Sequence, residues 1–255
     1  MIFTASGTQD GRGLIECLLQ ENYKVMASVV TDYGKNLLPQ HENLTVNDHK
    51  LDAAAMRRCL EENKITVFVD ATHPYAVNVS QTAMQVCNEL SIPYIRYERK
   101  VTPLPDYAKL YLVKTYEEAA ALSVQLGKNI FLTTGSNRLE LFADEAKKKN
   151  CRIVARILPA VASLEICAKA GILPRDIVAL QGPFSEELNM ALYAKYKADV
   201  VVMKNSGTLG GTEMKLTAAI KMNLPIVLID RPRIDYVNMV HDYKSVIDLV
   251  RQYEK

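Results

Sequence analysis

The sequence predicts an α/β protein of two domains with mostly parallel sheets. Three observations carry this. Short apolar runs alternate with amphipathic stretches along all 255 residues, the pattern of βαβ units. The apolar runs number about twelve, more than one sheet usually holds. Near the middle, Arg99–Asp106 (RKVTPLPD) lacks periodicity and carries two prolines. A boundary there gives halves of 1–104 and 105–255, with an active-site cleft expected between them.

Strands are expected at 2–5, 24–30, 44–47, 65–70, 93–97, 109–113, 129–133, 152–157, 176–180, 199–203, 225–229 and 237–240. Helices are expected at 10–21, 52–63, 75–90, 116–126, 138–149, 160–170, 185–196, 212–222 and 243–252. Local signals mark their ends. Asp52 is placed to cap the helix after it, and Thr115 with Glu118 spells a capping box. Ser185 followed by Glu186 and Glu187 is an N-cap with favourable first-turn charge. Gly127 and Gly171 sit where helices stop, in the C′ role. Pro93 and Pro225 each open a strand, where no ladder hydrogen bond is lost.

Composition excludes several classes. Apolar content of 49% and charged content of 24% are ordinary for a globular protein, and a net charge of +2 gives no footprint for nucleic acid. Lys147–Lys148–Lys149 reads as a solvated helix end. No segment approaches the ~18–20 apolar residues of a membrane helix, and MIFTASG is too short for a signal peptide. A cytoplasmic protein is expected. The five cysteines make no C-x-x-C pair, and Cys17, Cys59, Cys87 and Cys167 fall on apolar helix faces. His41, His49, His73 and His241 have no metal-ligand spacing, so no metal site is expected.

The chemistry gathers at strand-to-helix corners. VDATHPYA (69–76) ends a doubly buried strand with Asp70, Thr72 and His73, and Pro74 fits a first helical turn opening at Tyr75. In open α/β sheets, ligands bind at the carboxyl ends of strands. Six of the eleven glycines lie in two such corners: Gly7, Gly11 and Gly13, and Gly207, Gly210 and Gly211. The first spells G-x-x-x-G-x-G before a helix, a place where backbone N–H groups meet a pyrophosphate. The next strand ends in Thr31-Asp32-Tyr33-Gly34-Lys35. An acid here binds the ribose 2′-OH of NADH, whereas Lys35 suits the 2′-phosphate of NADPH. The balance leans to NADH. The second cluster follows Lys204-Asn205-Ser206, and Thr133-Thr134-Gly135-Ser136-Asn137-Arg138 repeats the logic. Lysine, amide, hydroxyl and free N–H groups together suit carboxylates or phosphates. Arg96, Arg99, Arg138, Arg156, Arg231 and Arg233 stand near strand ends; collected around one cleft they would suit a polycarboxylate ligand.

G-x-x-x-G-x-G is also the spacing of short-chain dehydrogenases, whose catalytic pair is Y-x-x-x-K. Tyr193 and Lys197 match it, but at a helix end and with no serine about a dozen residues upstream. That reading, and a non-catalytic dinucleotide sensor, are the alternatives.

In order, GTQDGR (7–12), VTDYGK (30–35), DATHPYA (70–76), PYIRYER (93–99), TTGSN (133–137), RILP (156–159), GPFS (182–185), MKNSGTLGG (203–211) and PIVLIDRP (225–232) resemble the precorrin-6A reductase family of cobalamin (vitamin B12) biosynthesis. DATHPYA, and KNSG with a nearby GG, are the most specific. Thr-Asp-Tyr-Gly resembles the cobalt-containing branch. The resemblance implies two Rossmann-like domains and nicotinamide-dependent reduction of one double bond in a carboxylate-rich tetrapyrrole. It requires no metal or flavin of the protein's own; any cobalt belongs to the substrate. Gly7, Thr8, Asp10, Gly11 and Arg12 are then expected at the pyrophosphate, and Thr31, Asp32, Tyr33 and Lys35 at the adenosine end. Thr72, His73 and Pro74 are expected near the nicotinamide ribose. Tyr75, Gly135, Ser136, Asn137, Arg138, Arg156, Lys204, Asn205, Ser206 and Gly207 are expected at the substrate; for Ser136, Asn137, Arg138, Lys204, Asn205, Ser206 and Gly207 the alternative is closing over the cofactor. His73 is the candidate catalytic residue; its alternative is a hydrogen bond to backbone or phosphate. Water is a second candidate for the proton donor.

Overall fold

A computed structural model describes residues 1–30, 32–207 and 210–254, and of Asp32 and Tyr33 the backbone alone. The chain begins β1 (Ile2–Ala5), α1 (Gln9–Gln20), β2 (Val25–Ser28), α2 (Asp32–Asn36), β3 (Leu44–Asn47), α3 (Ala53–Glu62), β4 (Val67–Asp70), α4 (Val77–Glu89) and β5 (Tyr94–Tyr97). It continues β6 (Leu110–Val113), α5 (Tyr116–Leu126), β7 (Asn129–Leu132), α6 (Leu139–Lys148), β8 (Arg152–Ile157), α7 (Val161–Lys169), a 3-10 turn (Pro174–Asp176) and β9 (Ile177–Ala179). The remainder is α8 (Glu186–Lys195), β10 (Val200–Lys204), α9 (Thr212–Lys221), β11 (Ile226–Ile229), β12 (Met239–Val240) and α10 (Tyr243–Tyr253).

These elements form two units, each around one six-stranded parallel sheet. The first unit is Met1–Lys100 with Pro232–Lys255, and its sheet runs β12-β5-β4-β1-β2-β3. The second is Val101–Arg231, and its sheet runs β6-β11-β10-β7-β8-β9. Both orders are the doubly wound Rossmann order, with the sixth place filled from elsewhere in the chain. In the second unit β6 fills it before the sheet has begun; in the first β12 fills it after the second unit is complete. The contiguous division into 1–104 and 105–255 is therefore corrected. Residues 232–255 return to the first unit because β12 pairs with β5 and α10 packs Val246 and Val250 into its core.

Alternating side chains explain the layers of the first unit. Ile2, Val25, Val67 and Ile95 face α1 and α10, meeting Leu14, Ile15, Leu18, Val246 and Val250. Phe3, Met26, Phe68 and Tyr94 face α3 and α4, meeting Met56, Leu60, Ala83 and Val86. Phe3 stacks on Phe68 at 4.9 Å, and Phe68 on Tyr94 at 5.8 Å. In the second unit Phe131, Val154, Val201, Met203 and Leu228 pack on Leu192 and Tyr193 of α8 and Leu216 and Ala219 of α9.

The caps follow the residues named for them. Asp52 accepts from Ala55 N at 2.8 Å, Ser185 from Leu188 N at 3.3 Å and Thr115 from Glu118 N at 3.1 Å. Glu118 answers Lys114 N at 2.8 Å, one residue before the position a capping box serves. Gly127 differs from its expected role. Its φ is −167°, extended, and a Cβ there would lie 2.5 Å from Asp199 Cβ, so close approach rather than a left-handed stop requires glycine. The helix expected at 75–90 opens at Val77, because residues 73–76 close a turn in which Ala76 N donates to His73 O at 2.8 Å. Pro74 therefore precedes the helix. Among the described residues no helix is long and apolar enough to cross a membrane.

Candidate active site

Each sheet has one place where the chain leaves neighbouring strands in opposite directions: between β1 and β4 in the first unit, and between β7 and β10 in the second. Ligands of such sheets bind there. The register sets the corners level. Ala5 pairs with Asp70, and Leu132 with Val202. The four conspicuous corners of the sequence are these four strand ends.

In the first unit the glycines have separate tasks. Gly7 has φ +144°, a conformation that side chains avoid. Gly11 lies so close to the Ser6 side chain that a Cβ would collide with it, and the Cβ would also sit 3.2 Å from Ala71 O. At Gly13 a Cβ would come within 2.8 Å of Tyr243 Oη, so this glycine seats the incoming α10. Thr8 caps α1 by accepting from Gly11 N at 3.1 Å, and its hydroxyl donates to Ala71 O at 3.4 Å, tying the two corners together. The first-turn N–H groups of α1 beside this glycine cradle suit a pyrophosphate. Asp10 is buried and paired with Arg99 Nε at 2.8 Å, while Tyr243 Oη donates to its carbonyl at 3.0 Å. Its carboxylate therefore fastens the start of α1. Arg12 is partly buried.

Beneath the second corner lies a fully buried carboxylate. Asp70 Oδ1 accepts from Arg96 Nη1 at 2.8 Å, Thr72 Oγ1 at 2.7 Å and Thr72 N at 3.0 Å. Its Oδ2 accepts from Ser80 Oγ and Tyr94 Oη, each at 2.6 Å. Arg96, also fully buried, reaches Glu98 Oε2 through Nη2 at 3.0 Å and stacks 4.8 Å over the Tyr236 ring. Burial pushes the Asp70 pKa up, but Arg96 and the hydroxyl donors outweigh it and hold the carboxyl below its usual range. Arg96 and Arg99 are thus internal partners rather than ligand-facing charges.

Thr72, expected at the cofactor, spends its hydroxyl on Asp70 and accepts from Arg96 Nη1 at 3.1 Å. His73 is partly buried, and its Nδ1 accepts from Tyr75 N at 3.3 Å. That fixes the imidazole against its own turn. Pro74 is buried and Tyr75 partly so, 5.6 Å from the His73 ring. Lys35 is exposed and pairs with Asp48 at 2.6 Å. Thr31, with the side chains of Asp32 and Tyr33, lies outside the described residues.

The second unit gathers Gly135, Ser136, Asn137, Arg138, Lys204, Asn205, Ser206 and Gly207 at its own crossing point. Thr133 Oγ1 donates to Val202 O at 3.0 Å, and Ser136 Oγ to Ser163 Oγ at 3.3 Å. Asn137 and Arg138 are exposed. Ser206 N donates to Thr212 Oγ1 at 3.1 Å, and Arg231 Nε to Asn205 O at 2.8 Å, so the loop is shaped from inside. Asn205 Oδ1 is buried with no hydrogen-bond partner. Arg156, at 5% exposure, donates from Nη1 to Asn189 Oδ1 at 2.7 Å and stacks 4.4 Å from the Phe184 ring. Burial pushes the Lys204 pKa down to about 8. Lys215 of α9, absent from the sequence expectations, is also buried here. Its signal was present: Thr212, Lys215, Leu216 and Ala219 share the helical period of the buried face.

The profile of the family described as "Precorrin-6x reductase CbiJ/CobK" matches residues 1–251. The chain belongs to the precorrin-6x reductase family. A cobalt-precorrin-6A reductase of Priestia megaterium is 36% identical, covering 97% of this chain and 96% of its own. One from Methanocaldococcus jannaschii is 34% identical over 89% and 88%. The precorrin-6A reductase of Mycobacterium tuberculosis is 32% identical over 69% and 68%. A solved structure, "CobK precorrin-6A reductase", shares the fold with a TM-score of 0.80 at 22% identity, covering 99% of this chain and 96% of its own.

In this precorrin-6x reductase family member, Tyr193 of the Y-x-x-x-K match is fully buried, packed edge-on against Phe131 at 5.1 Å, and its hydroxyl has no hydrogen-bond partner. It is a core residue. Replacing Tyr193 with Phe should leave kcat within about twofold and stability equal or higher, because an unmatched buried hydroxyl is lost; a collapse of kcat would return Tyr193 to catalysis. Asp70→Ala should cost roughly 3–5 kcal/mol in urea unfolding at neutral pH, since it strands Arg96 without its partner. The sign with pH follows from the depressed carboxyl: the stabilisation is present above the unfolded pKa of about 3.9 and lost as pH falls through the lower folded value. An Asp70→Ala protein as stable as the parent at pH 7 would refute the hub.

Proposed function

We propose that this protein reduces cobalt-precorrin-6A in cobalamin biosynthesis, with the first unit holding a nicotinamide dinucleotide and the second holding the macrocycle. The observation that carries the reading is membership of the reductase family across residues 1–251, with polar corners at both sheet crossings. A nicotinamide cofactor supplies the hydride. The Gly7–Gly11 cradle and the amino end of α1 fit its pyrophosphate. The adenosine end falls to the 31–35 stretch. NADH is preferred in this reading: Asp32 suits a free ribose 2′-OH, and Lys35 already spends charge on Asp48.

Lys204, Asn205, Ser206, Gly207, Ser136, Asn137, Arg138 and Arg156 orient the carboxylate-bearing ligand of the second unit. Good positioning alone is worth ~7–11 kcal/mol of a barrier. His73 is the candidate proton donor to the carbon beside the hydride acceptor; its Nδ1 accepts from Tyr75 N. The thiols of Cys17, Cys59, Cys87, Cys151 and Cys167 are unbonded to one another, in keeping with a reducing cytoplasm.

The test is an anaerobic spectral assay of protein, cobalt-precorrin-6A and NADH or NADPH. Cofactor oxidation with a shift in macrocycle absorbance is expected; none with either cofactor sinks the reading. A higher kcat/KM with NADPH would overturn the Asp32 assignment. Lys204→Ala should raise the macrocycle KM about tenfold, the loss expected of a charge-assisted hydrogen bond, with the nicotinamide KM little changed. Equal effects on both would move Lys204 to the cofactor. His73→Ala with unaltered kcat removes the imidazole from proton transfer.

A further inference from the structure

Lys215 is a buried amine. It lies on the face of α9 that buries Thr212, Leu216, Ala218 and Ala219, and is 9% exposed. Its Nζ donates to Gly210 O at 2.8 Å, which accounts for one of three ammonium donors. The charges acting on it are positive: Arg156 from β8 and Lys204 from β10, which together with burial push its pKa down to about 7. From α8, Glu186 is spent on Lys221 at 2.5 Å, Glu187 is exposed, and Tyr193 carries no charge at neutral pH. On its own helix Glu213 is exposed. Among the described residues no carboxylate makes an ion pair with Arg156 or Lys215. Arg156 has one hydrogen bond for five donors. Directly after Lys204 in the chain, the amide oxygen of Asn205 is buried without a hydrogen-bond partner.

Buried like charges repel strongly, because little water screens them. Such a cluster at a sheet crossing is relieved by a bound anion. We infer that Arg156, Lys204 and Lys215 form one carboxylate subsite, and that Lys215 takes a proton from solvent when an acidic side chain of the macrocycle binds. This rests on the reading above that the second unit holds the tetrapyrrole. Arg156 supplies permanent charge; Lys215 supplies charge that appears with the ligand. Binding then weakens as pH rises above the range in which the free ammonium survives.

Uroporphyrin, an octacarboxylate tetrapyrrole, is the probe. Titration calorimetry of the intact protein at pH 8, in two buffers of different ionisation enthalpy, should show uptake of about one proton or more per ligand. Lys215→Met should bind at least tenfold more weakly with reduced uptake. Lys215→Arg carries its charge before the ligand arrives, so at pH 8 it should bind at least as tightly as the parent, without the Lys215 share of the uptake. With cobalt-precorrin-6A, the parent's macrocycle KM should rise about tenfold or more from pH 6.5 to 8.5, and less in Lys215→Arg. Circular dichroism melts establish that each variant folds. No uptake by the parent, no uroporphyrin binding, or a Lys215→Met protein that binds and takes up protons like the parent would each overturn the subsite. Reductase activity in those cases would leave the proposed function standing; a parent protein that reduces no precorrin removes that function instead.

Discussion

One carboxylate held ionised in a dry interior organises the first unit. Desolvation opposes Asp70, and Arg96 with three hydroxyl donors offsets it. A buried ion pair of this kind is weak evidence for net stability, but it is specific, because few arrangements satisfy every partner. Here it fixes β4 to β5 through Arg96 and Tyr94, to α4 through Ser80, and to the 72–76 corner through Thr72. Ala71, the next residue, offers its carbonyl to Thr8 and crowds Gly11. The shape of the glycine cradle is therefore set across the sheet by a fully buried residue.

The two units share a strand order but not an electrostatic plan. In the first, buried guanidinium groups are answered by acids: Arg96 by Asp70 and Glu98, and Arg99 by Asp10. In the second, Arg156 has an amide and an aromatic face for company, and Lys215 a backbone carbonyl. The same scaffold is electrically closed at one crossing and open at the other. The first arrangement suits the proposed dinucleotide, which needs the close backbone approach glycines give; the second suits the proposed polycarboxylate, which needs positive charge.

What could be read from the sequence was local. The strands at 2–5, 44–47 and 152–157 and the helix at 116–126 coincide with the observed elements, since periodicity and capping act within a few residues. The four corners were visible for the same reason: polar and glycine residues directly after apolar runs. What escaped was non-local or too short. α2 is a five-residue helix in a stretch to which the sequence pattern assigns no element. The return of β12, the closeness of Gly127 to Asp199, and the partners of Asp10 and Thr72 each join segments that the chain separates. Lys215 escaped because a lysine on a helix reads as solvated unless its register is counted.

The return of the chain also sets an order of birth. The second unit is whole once residue 231 has been made; the first is not. Arg96 waits for Met239 to pair beside it, and Leu14 and Leu18 wait for Val246 and Val250 to cover them. At ribosomal speed this delay is on the order of ten seconds. Throughout it the nascent first unit carries an open sheet edge and a bare apolar face, the features that invite wrong partners. The half that is made first is the last to be finished.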